Sequence, residues 1–345
     1  MNTSPLVSVL IPTYNRKQLL KRALDSVLKQ TYKNIEIYIS DNASTDGTFE
    51  FMQELLKNDK RIIYSRREKN MGGLYNASEA YNHLKGKYGI VLCDDDYFLS
   101  NTFFENAVKA MEENENVVIV RGIVKCFNEN SNNIFIDVYN STEYINGIDY
   151  LLNYANHEGY DNITSFFAMF RKSAADKTQV FQKALPSGDT WLWLYLFLYG
   201  DVYFLSDEII GCYVEHNLGQ DKYNIDTISN VDYMCELIVD LKKKAKELYP
   251  NYIDEIDIKI EKIFSNILIW HTAQLCKVIG KKKAFSIMKK KDIIKKYPRI
   301  KSKIFGSLSF TIPFKLVLLG IEIDEKNINI FFLGIKITIK RRLYV

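Results

Sequence analysis

Apolar positions along the first hundred residues switch between two periods, and the switches mark alternating strands and helices. Leu6-Val7-Ser8-Val9-Leu10-Ile11 is a short apolar run that predicts a buried strand, stopped by Pro12. Leu19, Leu20, Ala23, Leu24, Val27 and Leu28 then recur at helical spacing. Ile35 to Ile39 predicts a second strand, and Asp46 is placed as a helix N-cap ahead of Phe49, Met52, Leu55 and Leu56. A third strand fits Ile62 to Ser65, followed by Gly72-Gly73 and a helix through about Leu84; the fourth strand is Gly89 to Leu92. This order implies an α/β fold, a mostly parallel sheet with helices on both faces. Ligands of such sheets bind beyond the carboxyl ends of the strands. Pro12 to Asn15, Asp41 to Asp46, Gly72-Gly73 and Asp94 to Asp96 all fall at those ends.

From Val117 to about His216 the pattern predicts shorter strands (Val117 to Val124, Ile163 to Phe170, Val202 to Leu205, Ile209 to Val214) with helices between them. Thr190 to Tyr199 is rich enough in Trp, Leu, Tyr and Phe to be a buried helix. Beyond Asp226 the chain turns helical. Ile228, Val231, Met234, Ile238 and Leu241 form one stripe, and Ile256, Ile260, Ile263, Ile267, His271 and Leu275 another, with His271 read as a packed core residue. Ile328 to Ile339, with Gly334 at its middle, predicts a small hairpin. The expected organisation is a catalytic domain over 1–220 (halves 1–100 and 101–220), a helical region over 221–300, and a basic apolar tail over 301–345.

The composition, 47% hydrophobic and 26% charged over 345 residues, excludes wholesale disorder. The net charge of +4 hides an uneven distribution. Residues 281–345 carry 17 Lys+Arg against 4 Asp+Glu, which leaves an acidic body before them. A basic tail on an acidic body points to an anionic partner, and an anionic membrane surface is expected for 281–345; self-association as a homo-oligomer is the other reading. No interleaved aromatic platform marks the tail as a nucleic-acid binder. Five scattered cysteines without a C-x-x-C pair exclude a zinc ribbon and argue for reduced thiols in a cytoplasmic setting. Leu6 to Ile11 is too short for a signal peptide, and Leu308 to Ile321, interrupted by Pro313 and Lys315, is too short to span a bilayer. A soluble protein, or one peripheral on the inner face of the cell membrane, is expected.

The sharpest chemical signal is Asp94-Asp95-Asp96, directly after the apolar run Tyr88 to Cys93. Adjacent carboxylates repel, so a fold that keeps them together normally offers a cation, and hard oxygen ligands suit a divalent metal. Such a metal neutralises a diphosphate. Around this run, Val7-Ser8-Val9-Leu10-Ile11-Pro12-Thr13-Tyr14-Asn15, Ser40-Asp41-Asn42-Ala43-Ser44-Thr45-Asp46-Gly47-Thr48 and Asn70-Met71-Gly72-Gly73 appear in order, and together the four motifs resemble family 2 glycosyltransferases over roughly residues 5–216. The resemblance implies the GT-A fold, Rossmann-like, and an inverting, nucleotide-sugar-dependent enzyme.

Each motif also reads physically. The Tyr14 ring suits packing on a nucleobase, with Pro12 and Thr13 shaping the loop beside it and Asn15 counted with them among the nucleotide-sugar-binding residues; simple surface packing is the plainer reading of Tyr14. Asp41 accepts hydrogen bonds and so fits a base with a ring N–H, in the family most often uracil, unless it only forms an Asx-type bend. Asn70, Gly72 and Gly73 lead into a helix amino terminus that favours phosphate. The family's D-x-D pattern implies that Asp94 faces the nucleotide and that Asp96, with Asp94, ligates Mn²⁺ or Mg²⁺; Asp95 shares either task. Pro186-Ser187-Gly188-Asp189-Thr190-Trp191 resembles the family's acceptor loop, with Gly188 in place of a first acid, so Asp189 is the candidate base. It also suits an N-cap. His216 matches a histidine that some members set against the metal or diphosphate, while a lone histidine is often structural.

These readings converge on a metal-dependent transferase moving a single sugar, from a UDP-sugar most of all, to a glycan or lipid-linked glycan acceptor of a surface polysaccharide. The Q-x-x-R-W signature of processive members is absent from the sequence. A sugar-phosphate nucleotidylyltransferase is the alternative enzyme, but the loop Pro12-Thr13-Tyr14-Asn15-Arg16 lacks its glycines. A non-catalytic glycan-binding protein on the same fold is opposed by the intact acidic run and Asp189.

Overall fold

The structure, a computed structural model, describes residues 4–129, 133–137, 144–154, 167–183, 188–215, 226–305, 318–323, 327–332 and 335–340. Strands β1 (Val7–Thr13), β2 (Ile35–Asp41), β3 (Ile62–Arg66) and β4 (Tyr88–Val91) pair in parallel in the order β3-β2-β1-β4. Helices α1 (Lys17–Leu28), α2 (Thr48–Leu56) and α3 (Gly73–Tyr81) connect them. Period-2 alternation sorts the side chains to two faces. Val7, Val9 and Ile11 with Ile35, Ile37 and Ile39 join the main core, where α1 contributes Leu20, Ala23, Leu24 and Val27. The even-numbered residues face α3: Ser40 exchanges hydrogen bonds with Asn76, its hydroxyl donating to Oδ1 at 2.7 Å and its carbonyl accepting from Nδ2 at 2.8 Å. Helices therefore cover both faces, as the sequence pattern predicts.

Pro12 does not stop β1, which continues to Thr13 with Pro12 opposite Ser40. The reason lies in which edge each residue serves. Val7 donates to Asn34 and Thr13 accepts from Asn42, so odd positions bond toward β2, whereas Leu10 accepts from Leu92 on the other side. The missing N–H of Pro12 thus points toward the side where β4 has already ended at Val91, and no bond to β2 is lost.

After β4 come the short β5 (Tyr97–Phe98), α4 (Phe103–Glu113) and the long β6 (Val117–Asn128), with β7 (Asn133–Asp137) paired to it. Next follow β8 (Tyr144–Ile145), α5 (Gly147–Asn153), β9 (Ala168–Arg171), α6 (Lys172–Thr178), α7 (Gly188–Leu196) and β10 (Asp201–Glu215). The sheet continues β4-β9-β6-β10-β5, with β9 antiparallel to both neighbours and β10 parallel to β6. The two strands expected at Val202–Leu205 and Ile209–Val214 are one, with register shifts between Leu205 and Gly211. The polar residues between them are accommodated as bulged positions rather than a turn, and Glu208 accepts hydrogen bonds from Thr102 and Asn106.

Trp191 to Leu198 is buried throughout, as expected for the apolar α7 segment. Two long helices cover it, α8 (Asp226–Leu248) and α9 (Ile253–Ile279). The Trp191 and Phe264 rings meet with centroids 6.5 Å apart, and the Tyr195 hydroxyl donates to Asp240 at 2.7 Å. The predicted α9 stripe is buried at Ile256, Ile260, Ile263, His271 and Leu275. Helix α10 (Lys281–Lys290) buries Ala284 and Met288 and exposes its lysines. Residues Met1–Ile300 form one compact unit and Lys301–Val345 a second. The second contains the antiparallel strands β11 (Leu318–Ile323), β12 (Asn327–Phe332) and β13 (Ile335–Lys340), the last two forming the predicted hairpin. Among the described residues no helix is long and apolar enough to cross a membrane.

Candidate active site

The loops at the carboxyl ends of β1 to β4 are tied to one another side chain by side chain. Asn15, in the left-handed region at φ 52°, donates its N–H to Ser44 Oγ at 2.9 Å and accepts the Thr45 N–H at 2.7 Å. Asparagine tolerates that conformation better than most residues, which accounts for its place in the turn. Asp46 clamps two helix starts, accepting the Lys17 N–H at 2.9 Å and the Thr48 hydroxyl at 2.6 Å. Burial works upward on the Asp46 pKa, but these donors outweigh it and hold the group below the usual aspartate range. Asp46 was expected as the N-cap of α2, but Gly47 holds that position, and Asp46 bonds the first turn from one residue earlier through Thr48.

Asn42 joins the second loop to the third: its Nδ2 donates to Asn70 at 2.8 Å and its Oδ1 accepts the Met71 N–H at 2.8 Å. Asn70 in turn accepts the Gly72 N–H at 2.8 Å. Gly72 sits at φ 87°, where only glycine is unstrained, and Gly73 opens α3. A Cβ at either position would meet nothing within 4 Å, so the backbone here faces open space. Asp41, by contrast, is fully buried. Its oxygens accept the Ser44 N–H at 2.8 Å and the Tyr64 hydroxyl, and Arg66 lies 3.8 Å away. Burial and then the Asp41 hydrogen bond raise the Tyr64 pKa well above its ordinary value. The Asx-type bend is formed, and the carboxylate that was expected to meet a base is engaged by protein donors.

The acidic run lies at the centre of these loops. Thr13 Oγ1 donates to Asp94 Oδ2 at 2.8 Å; Arg16 Nη1 donates to Asp94 Oδ1 at 3.0 Å and to Asp95 Oδ2 at 2.8 Å. Arg22 donates to the Asp95 carbonyl at 2.5 Å while stacking over Tyr97, 4.6 Å from its centroid. Asp96 accepts the Val214 N–H of β10 at 2.9 Å, which brings the second half of the sheet to the same edge. Asp94 and Asp96 are 5% and 2% exposed. Burial, then the neighbouring Asp95 charge, push Asp94 up to about 6 against the opposing pull of Arg16 and Thr13. The same two causes raise Asp96 well above the aspartate range. The two guanidiniums, Arg16 on the carboxylates of Asp94 and Asp95 and Arg22 on the Asp95 carbonyl, do not offset three carboxylates in full, since Asp94 and Asp96 stay raised.

That residual charge is what a divalent cation would neutralise, and the donor set suits one. Cys93 Sγ and carboxylate oxygens of Asp95 and Asp96 lie within 4.8 Å of one another. Asp94 is outside this group and turned to Thr13 and Arg16, so the expected pair of Asp94 and Asp96 is replaced by Asp95 and Asp96 as the converging carboxylates. Hard oxygens fit Mn²⁺ or Mg²⁺, and an adjacent sulfur favours Mn²⁺ of the two.

Tyr14 is half-buried in the β1 loop, between Thr13 and the exposed Asn15. Asp189 is the second residue of α7, within its first turn rather than at the cap, and only its backbone is described. His216 lies outside the described residues, next after the end of β10. The sequence reading missed Arg16, Asn42 and Cys93 as site residues. A cation in the β1 loop facing three acids was the available signal for Arg16.

Residues 8–178 match the family model described as Glycosyl transferase family 2. The glycosyltransferase GlyA of Streptococcus pneumoniae is 29% identical over 160 residues, 46% of this chain and 21% of that protein. The GalNAc(5)-diNAcBac-PP-undecaprenol beta-1,3-glucosyltransferase of Campylobacter jejuni is 30% identical over 198 residues, 56% of this chain and 60% of that enzyme. The chain thus spans less than two thirds of either relative. Residues 1–349 of S. aureus TarS share its architecture, with a TM-score of 0.59 at 14% identity over 96% of this chain and 98% of that one. By the match over residues 8–178 this chain belongs to glycosyl transferase family 2, and its architecture is the GT-A fold.

Proposed function

We propose that the chain is an inverting glycosyltransferase that moves one sugar from a UDP-linked donor to a hydroxyl of a glycan or lipid-linked glycan in surface polysaccharide synthesis. The observation that carries this reading is the run Asp94–Asp96, with Asp94 and Asp96 buried and raised in pKa, tied to the β1 loop through Thr13 and Arg16. TarS has been crystallised with UDP-GlcNAc and with UDP, which supports the donor class. The undecaprenol-linked substrate in the name of the Campylobacter relative supports a lipid-linked acceptor.

The Tyr14 ring packs the base, and Asp41 acts on it indirectly by fixing the bend through Ser44. Asn42 and Asn70 hold Gly72 and Gly73 so that the amino end of α3 faces the diphosphate. Asp95 and Asp96 would hold the Mn²⁺ or Mg²⁺, with His216 as the further ligand that the family resemblance implies, and Asp94 would face the ribose. When bound, the cation offsets the negative charge that grows on the departing nucleoside diphosphate. Asp189 takes the proton of the acceptor hydroxyl as its oxygen bonds the anomeric carbon and the bond from that carbon to the diphosphate oxygen breaks. The exposed lysines of α10 begin a basic surface suited to an anionic bilayer. A panel of nucleotide sugars with Mn²⁺, scored by thermal shift, tests the donor: a UDP-sugar is expected to stabilise the protein most. Stabilisation by another nucleotide sugar alone would overturn the UDP assignment.

A further inference from the structure

We propose that Arg16 is a resident counter-cation of the acidic loop, holding Asp94 and Asp95 before any ligand binds so that a divalent cation binds tightly only together with a nucleoside diphosphate. This inference rests on the donor-site reading above. Its geometry is specific: a single nitrogen, Nη1, bridges both carboxylates, and the Arg16 side chain is 25% exposed against 7% for Asp94 and 17% for Asp95. Arg16 occupies the cap position of α1, where its side chain makes no capping bond and a positive charge opposes the helix dipole. Asp46 takes over the capping role by accepting the Lys17 N–H. The local sequence rules therefore disfavour arginine here, and the contacts that offset that cost are those to Asp94 and Asp95.

Two cations cannot share the one Asp95 carboxylate without repulsion. A divalent ion entering the group of Cys93, Asp95 and Asp96 approaches a carboxylate whose Oδ2 already accepts from the Arg16 guanidinium. A diphosphate gives that guanidinium a second anion of matching fork geometry. Metal and nucleotide then bind with positive coupling, each easing the entry of the other. Arg16 acts in this scheme as a positioning residue.

The test is Mn²⁺ binding followed by electron paramagnetic resonance, in wild type and Arg16→Gln, with and without UDP. Without UDP the variant is expected to bind Mn²⁺ about tenfold more tightly, since the competing charge is gone. With UDP the advantage narrows, and UDP itself binds the variant more weakly. In metal-free buffer the variant melts below wild type, and Mn²⁺ restores more of its melting temperature than it adds to wild type. Arg16→Lys, which keeps the charge but not the fork, shows the same changes at smaller amplitude and serves if the glutamine variant does not fold. Equal Mn²⁺ affinity of variant and wild type without UDP would overturn the role of Arg16. Failure of every protein to take up Mn²⁺, with or without UDP, would instead overturn the donor-site reading itself.

Discussion

The hydroxyl of Thr13 donates to the Asp94 carboxylate across 81 positions of sequence, joining the last residue of β1 to the turn after β4. Both partners are buried, so deleting the hydroxyl strands an acceptor that is already short of compensation. Thr13→Val, which keeps the shape, is expected to cost about 1–3 kcal/mol of stability and to weaken nucleotide binding. Thr13→Ser keeps the donor and should stay near wild type. Chemical denaturation of the three proteins checks this; a valine variant as stable as wild type would remove the bond from the account.

Gly72 and Gly73 separate backbone strain from ligand approach. A Cβ at Gly72 meets no atom within 4 Å, yet φ is 87°, so Gly72→Ala pays for conformation alone, about 1–3 kcal/mol. Gly73→Ala lies in open space at the start of α3 and should leave the melting temperature nearly unchanged. If phosphate approaches that backbone, the same substitution weakens UDP binding measured by calorimetry. Unchanged UDP affinity would move the phosphate elsewhere.

Asp94 sets a pH dependence with a definite sign. Its pKa stands near 6 in the fold against 3.8 for an ordinary aspartate, because burial and Asp95 disfavour its charge. Stability carried by the neutral form is complete below 3.8 and is lost as pH rises through about 6. Between about pH 5 and pH 7 the stability difference between Asp94→Asn and wild type should therefore move toward the variant, by about 1 kcal/mol. Thermal melts across that range in metal-free buffer check it, and a difference independent of pH would contradict it.

Asp189→Asn distinguishes a base from a helix-start residue. As the base, it loses transfer by about 10²–10⁴-fold while keeping the thermal shift given by UDP. As a helix-start residue only, it loses stability and keeps its turnover per folded molecule.

Much of the fold was legible because it is written in local periods. β1 to β4 and their edge loops follow from apolar runs and breakers within about ten residues, and the loops converge as expected. The insertion of β9 between β4 and β6 is not local: it pairs Gly89 with Phe170, residues that share no short-range pattern. Pro12 misled because its cost depends on which neighbour its nitrogen faces. In the site, the carboxylates were visible by their adjacency, whereas Arg16, Asn42 and Cys93 matter through partners distant in the chain. Asp41 was assigned to a ligand because its residue type suits one; only burial shows that Tyr64 and Ser44 already use it.

The central claim is that the carboxylates at the end of β4 hold a cation on which departure of the nucleoside diphosphate depends. The most direct measurement is the rate of UDP release from a UDP-sugar by wild type and Asp96→Ala, each with Mn²⁺ and with chelator. Wild type with Mn²⁺ is expected to release UDP, with a loss of at least about 10²-fold on chelation or in the variant. Release that survives both the chelator and the loss of Asp96 would contradict that claim.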